Sequence, residues 1–169
     1  IQPNWGNSGY SLSYTMPDSD RDYAMRFDFS FEGVRTDIAS VMLCEKANVR
    51  QGGENVYNQF GLVRPTEDGK FSVAGNEVAG ITYEENKWYS YELNFNRSSC
   101  ALQGKIYERD NPAVCADFSF VAQHGIYGNG MPDLQYDALK FGCNGTVNID
   151  NIILHETVDK PVKCKVTSE

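Results

Sequence analysis

"RDYAMRFDFSFE", residues 21–32, decides the fold. Tyr23, Met25, Phe27, Phe29 and Phe31 fall on one side of this stretch, and Ala24, Arg26, Asp28, Ser30 and Glu32 on the other. Apolar and polar residues alternating with a period of two mark a half-buried antiparallel strand. Wound as a helix, the same aromatics would spread around the whole axis and share no face. The stretch is a strand with one dry side and one wet side.

Similar runs lie on both sides of it. Strands are expected at 9–14 (GYSLSY), 38–45 (IASVMLCE), 55–63 (NVYNQFGLV), 69–74 (GKFSVA) and 87–95 (KWYSYELNF). Further strands are expected at 101–108 (ALQGKIYE), 113–120 (AVCADFSF), 133–142 (DLQYDALKFG) and 146–155. Glu67-Asp68-Gly69 and Arg109-Asp110-Asn111-Pro112 carry turn residues between these runs. Only 120–125 and 134–141 leave room for a turn or two of helix. Short strands separated by regular turn signals predict an all-β protein, a two-sheet antiparallel β-sandwich or jelly roll. The sandwich is expected to span residues 1–156, with 157–169, polar, basic and broken by Pro161, as a tail or linker to a neighbouring domain.

A net charge of −8 and no basic run argue against a nucleic-acid partner, which would need a stripe of lysine and arginine. The same charge opposes docking on an anionic membrane. No apolar run approaches the roughly 20 residues that cross a bilayer as a helix. The five cysteines, Cys44, Cys100, Cys115, Cys143 and Cys164, are an odd number, so at least one is unpaired within the chain. Two disulfides with one thiol, or five small buried residues, both fit their spacing. Asn96-Arg97-Ser98 and Asn144-Gly145-Thr146 match the glycosylation sequon.

"VNIDNIILHE", 147–156, reads as a buried strand, yet Asn148, Asp150 and Asn151 interrupt it. A carboxylate in a core strand is costly unless paired. Asp150 is therefore expected to face away from the core and hold a metal or a loop, with the isoleucines packed beneath.

Lys87-Trp88-Tyr89 opening one strand and Ile149-Asp150-Asn151-Ile152 in the last one resemble the concanavalin A-like and carbohydrate-binding-module jelly rolls. That resemblance implies a secreted or cell-surface protein and a structural calcium ion with Asp150 among its ligands. It further implies a non-catalytic carbohydrate-binding module that binds polysaccharide or oligosaccharide and is attached to other domains.

Sugar rings stack on flat aromatics flanked by amides and acids. Trp5 in a Gly/Asn-rich loop, Tyr57 with Gln59 on the same strand face, and Tyr127 between glycines are the expected ligand-binding residues. Tyr83 and Tyr136 rank behind them, and for each aromatic the competing reading is core packing. No residue is assigned a catalytic role: neither His124 nor His155 has a supporting motif such as G-x-S-x-G. The acids of "YEEN" (83–86) and "TEDG" (66–69) read as turns. A glycoside hydrolase or polysaccharide lyase on the same scaffold, and a structural or adhesive surface domain, are the alternatives.

Overall fold

The computed structural model describes residues 12–15, 22–32, 40–45, 59–96, 99–122, 136–142 and 146–156, and every structural statement below concerns these residues. They form eleven strands and no helix: β1 (Leu12–Thr15), β2 (Tyr23–Glu32), β3 (Ser40–Glu45), β4 (Gln59–Pro65), β5 (Phe71–Val73), β6 (Asn76–Val78), β7 (Tyr89–Asn96), β8 (Ala101–Glu108), β9 (Asn111–Val121), β10 (Tyr136–Gly142) and β11 (Thr146–Glu156). They assemble into two antiparallel sheets. One has the order β1-β10-β3-β4-β5-β6, the other β11-β2-β7-β8-β9. The fold is a jelly-roll-like β-sandwich.

The alternating stretch that decided the reading sits in the middle of its sheet as β2. Phe27 pairs with Tyr91 and Asp28 with Ser90 on β7, while Asp28 pairs with Asp150 on β11. Tyr23, Met25, Phe27, Phe29 and Phe31 are all buried in the core, as the period of two requires. Phe27 stacks on Tyr91 with centroids 4.9 Å apart, and Tyr91 stacks on Phe118 of β9 at 5.4 Å. Phe71 crosses from the other sheet and meets Phe29 and Tyr89 edge-on at 5.8 and 4.9 Å. Such tilted and offset pairs contribute about 0.5–1.5 kcal/mol each beyond their burial. Tyr83, considered a ligand residue from sequence, is buried instead and donates its hydroxyl to Phe31 O at 3.0 Å.

Several local features differ from the sequence expectation, each for a physical reason. The region 134–141 is strand, not helix, because β10 pairs with both β1 and β3. β6 was not anticipated. Its hairpin turns through Ala74 (φ 49°) and Gly75 (φ 80°), and a non-glycine residue at positive φ carries no obvious turn signal. β9 begins at Asn111, inside the expected four-residue turn, because the hairpin closes on Arg109 and Asp110 alone, with Glu108 paired to Asn111. Gly104 of β8 admits no side chain: a Cβ there would sit 1.9 Å from Glu92 O and 2.9 Å from the Phe118 ring.

Candidate functional site

On the five-stranded sheet the residues between the core positions point outward, and the strand register decides which of them meet. One row across the sheet runs Asp150, Asp28, Ser90, Tyr107, Cys115; the next runs Ile153, Arg26, Glu92, Lys105, Asp117. Neighbours in a row stand about 4.5–5.5 Å apart, so these side chains touch across strands.

In the first row Asp28 and Ser90 form a buried network with Asn151. Asp28 is 2% exposed and Ser90 fully buried, although both lie on the outward face. Ser90 Oγ donates to Asp28 Oδ1 at 2.6 Å, and Asn151 Nδ2 donates to Asp28 Oδ2 at 2.7 Å. Both oxygens of the buried carboxylate are thus satisfied, which offsets the cost of taking it out of water. The interruption in β11 now has its explanation. The register shifts between Asp150 and Ile153, and Asn151 takes a left-handed φ of 52° that aims its amide at Asp28. Exposed Asp150 accepts the Asn151 backbone N–H at 2.8 Å and so pins this bulge. The expectation that the isoleucines pack beneath holds for Ile149 and is corrected for Ile152 and Ile153, which the bulge turns out, 48% and 53% exposed. Val147, Ile149 and Leu154 face the core instead. Among the described residues no three His, Cys, Asp or Glu side chains gather to hold a metal ion.

The second row opens into a groove. Glu92 and Asn94 from β7, Gln103 and Lys105 from β8, and Asp117 and Ser119 from β9 line an open depression of about 650 Å³. That volume falls within the range of small-ligand sites, but the lining is polar where such sites are mostly apolar. Tyr107 Oη donates to Glu92 Oε1 at 2.8 Å, and Lys105 Nζ stands 3.6 Å from Glu92 Oε2. Burial, followed by the Glu92 carboxylate, pushes the Tyr107 phenol up from its ordinary range. Lys105 also lies 5.1 Å above the Tyr107 ring. Glu92 is thereby held in place, and Asp117, Asn94, Gln103 and Ser119 present their groups to solvent. Asn94 and Gln103 continue into a smaller depression of about 150 Å³ beside Asp22 and Asn96. Away from the groove lining, the Arg109 guanidinium covers the Trp88 ring at 4.4 Å.

None of the described residues that line this groove was expected from sequence to bind a ligand. Trp5, Tyr57 and Tyr127 lie outside the described residues, and Gln59 opens β4 with only its backbone described. The groove residues were visible in the sequence as wet-side positions of β7, β8 and β9. A search directed at unpaired aromatics passes over them, since their convergence depends on register.

No known family model matches the chain, and no curated protein sequence does. Solved structures do. Scytalido-glutamic peptidase, in a crystal structure with a transition state analogue inhibitor, is 14% identical with a TM-score of 0.44, covering 91% of this chain and 76% of that one. SCP-B, a member of the eqolisin family of peptidases solved with the tripeptide Ala-Ile-His, is 14% identical with a TM-score of 0.43, covering 91% and 75%. A sialidase is 15% identical with a TM-score of 0.43, covering 89% of this chain and 14% of that one. The likeness is one of fold and goes no further. These comparisons correct the resemblance drawn from Lys87-Trp88-Tyr89 and the closing strand. These similar structures are peptidases and a sialidase, not carbohydrate-binding modules. With that resemblance falls the reading as a non-catalytic carbohydrate-binding module. The hydrolase-or-lyase and adhesive alternatives gain no support from the comparisons either.

Proposed function

We propose that the outward face of the five-stranded sheet is a binding surface for an extended, positively charged peptide. The observation that carries the reading is the groove itself. Six polar side chains from three adjacent strands converge in one open depression, whose charged row carries two carboxylates, Glu92 between Arg26 and Lys105, and Asp117 at the β9 end. Glu92 and Asp117 flank Lys105, so a cationic side chain finds an acid on either side while Asn94, Gln103 and Ser119 offer hydrogen bonds to amide groups. A net charge of −8 draws a basic partner toward the whole surface. The buried serine of this face is committed to Asp28 and is no nucleophile.

The test is calorimetric titration of the full chain with a heptapeptide alternating lysine and valine, and with its glutamate-for-lysine counterpart. The lysine peptide should bind, less tightly as salt rises, and the glutamate peptide should not. Combining Glu92→Gln with Asp117→Asn should weaken the lysine peptide about fivefold, as expected for two exposed ion pairs. Equal binding of both peptides, or none of either, would contradict the proposal.

A further inference from the structure

The groove ends at a strand with an open side. β9 pairs with β8, and among the described residues no strand hydrogen-bonds to its other edge, although β6 and Gly80 after it come close to β9 at Ala116. Pro112 and the register shift before Cys115 guard the start of β9, but from Cys115 to Val121 the edge carries one charge, Asp117, and no proline or lysine. Exposed edges are usually guarded by such residues, because a row of unpaired N–H and C=O groups is a template for another chain. Ala116 and Phe118 are buried, Phe120 is half-buried, and Asp117, Ser119 and Val121 are exposed, so the edge keeps a regular pleat with a wet side and a dry side.

We propose that β9 is the docking edge for the peptide: the ligand adds to the sheet as a sixth strand, main chain to main chain, with cationic side chains at alternate positions beside Asp117. This rests on the peptide-binding reading of the groove and states how the peptide is held. An added strand lies about 4.8 Å beyond β9, which puts its outward side chains about 4.5–5.5 Å from Asp117 and in line with the charged row behind it. Its inward side chains fall against the half-buried Phe120 and want to be apolar. Backbone hydrogen bonds supply affinity and the alternating side chains supply selectivity, as in other strand additions. A second copy of the chain offers the same main-chain groups but brings its own −8 to a surface already at −8. Charge selects the basic peptide over the copy.

The experiment is amide hydrogen exchange on the full chain, alone and with the lysine–valine heptapeptide, alongside titrations of the same peptide N-methylated at alternate residues. The expected result is slowed exchange at alternate amides between Cys115 and Val121. Methylation on the edge that meets β9 should lower affinity at least about tenfold through lost hydrogen bonds. Asp117→Asn should lower it about threefold. Binding with unchanged β9 exchange and no methylation effect would overturn the strand addition while leaving the groove as a peptide site. Protection of β9 without peptide, rising with protein concentration, would give the edge to a second copy and overturn the proposal. No binding of any basic peptide would remove the underlying reading as well.

Discussion

On the inner side of β2 and β7, Phe27 stacks on Tyr91 at 4.9 Å; on the outer side of the same two strands, Ser90 donates to Asp28 at 2.6 Å. The backbone is shared and both environments are buried, but they are stabilised differently. The inner side depends on volume and ring geometry and has slack in its polar atoms: the Tyr91 hydroxyl is fully buried with no partner. The outer side depends on pairing, with each oxygen of Asp28 taken. A sheet face of this kind keeps a polar surface rigid, which is what a binding groove needs.

Truncating the inner side should cost most. Phe29→Ala removes a ring in contact with Phe27, Phe31, Phe71 and Tyr89, and should lower the unfolding free energy in urea by about 3–5 kcal/mol. A cost below about 1 kcal/mol would mean that the two sheets do not lock through this cluster. On the outer side, Asp28→Ala strands Ser90 Oγ and Asn151 Nδ2 and should cost about 1–3 kcal/mol by the same assay. If it were neutral, the outward network would be ornament and the contrast would collapse.

The buried phenols sharpen the comparison through pH. Burial, with the nearby Glu85 charge, pushes Tyr83 up from 10.0 to about 12. Tyr89, Tyr91 and Tyr107 are raised as well, each chiefly by burial. A raised folded-state value means that the protonated phenol's contribution is complete below the unfolded-chain value. It is lost as pH climbs from about 10 through the folded value, near 12 for Tyr83. Chemical denaturation followed across that window should show stability falling, with phenolate absorbance appearing as the fold is lost. Flat stability there would contradict the burial of these hydroxyls.

The smallest effect is the most discriminating. Tyr91→Phe deletes the unpartnered hydroxyl and should change stability by no more than about 0.5 kcal/mol, or raise it. Tyr89→Phe, whose hydroxyl donates to Thr82 O and accepts the Glu84 N–H, should cost about 1–2 kcal/mol. Thermal melts of the two variants side by side read the difference directly.

Much of the fold was legible because the alternation of 21–32 and 87–95 is a local signal and antiparallel strands obey it locally. β6 was hidden, since Ala74 at positive φ turns a hairpin without the usual asparagine or aspartate. In 147–156 the polar interruption was noticed. Its meaning was not, because Asn151 and Asp28 are 123 residues apart in the chain and meet only through the register of β11 on β2. The site was hidden for the same reason. Glu92, Lys105 and Asp117 look like ordinary wet-side residues on three separate strands until β8 sets them in one row. The aromatics favoured from sequence, Trp5, Tyr57 and Tyr127, lie outside the described residues.

The most direct test of the account is the map of backbone amide chemical shifts as the full chain is titrated with the lysine–valine heptapeptide. The expected result is a saturable set of shifts confined to β7, β8 and β9, centred on Glu92, Gln103, Lys105, Asp117 and Ser119 and reduced by Glu92→Gln. Shifts centred on the other sheet, or a spectrum unchanged at saturating peptide, would contradict the claim that this face is the binding surface.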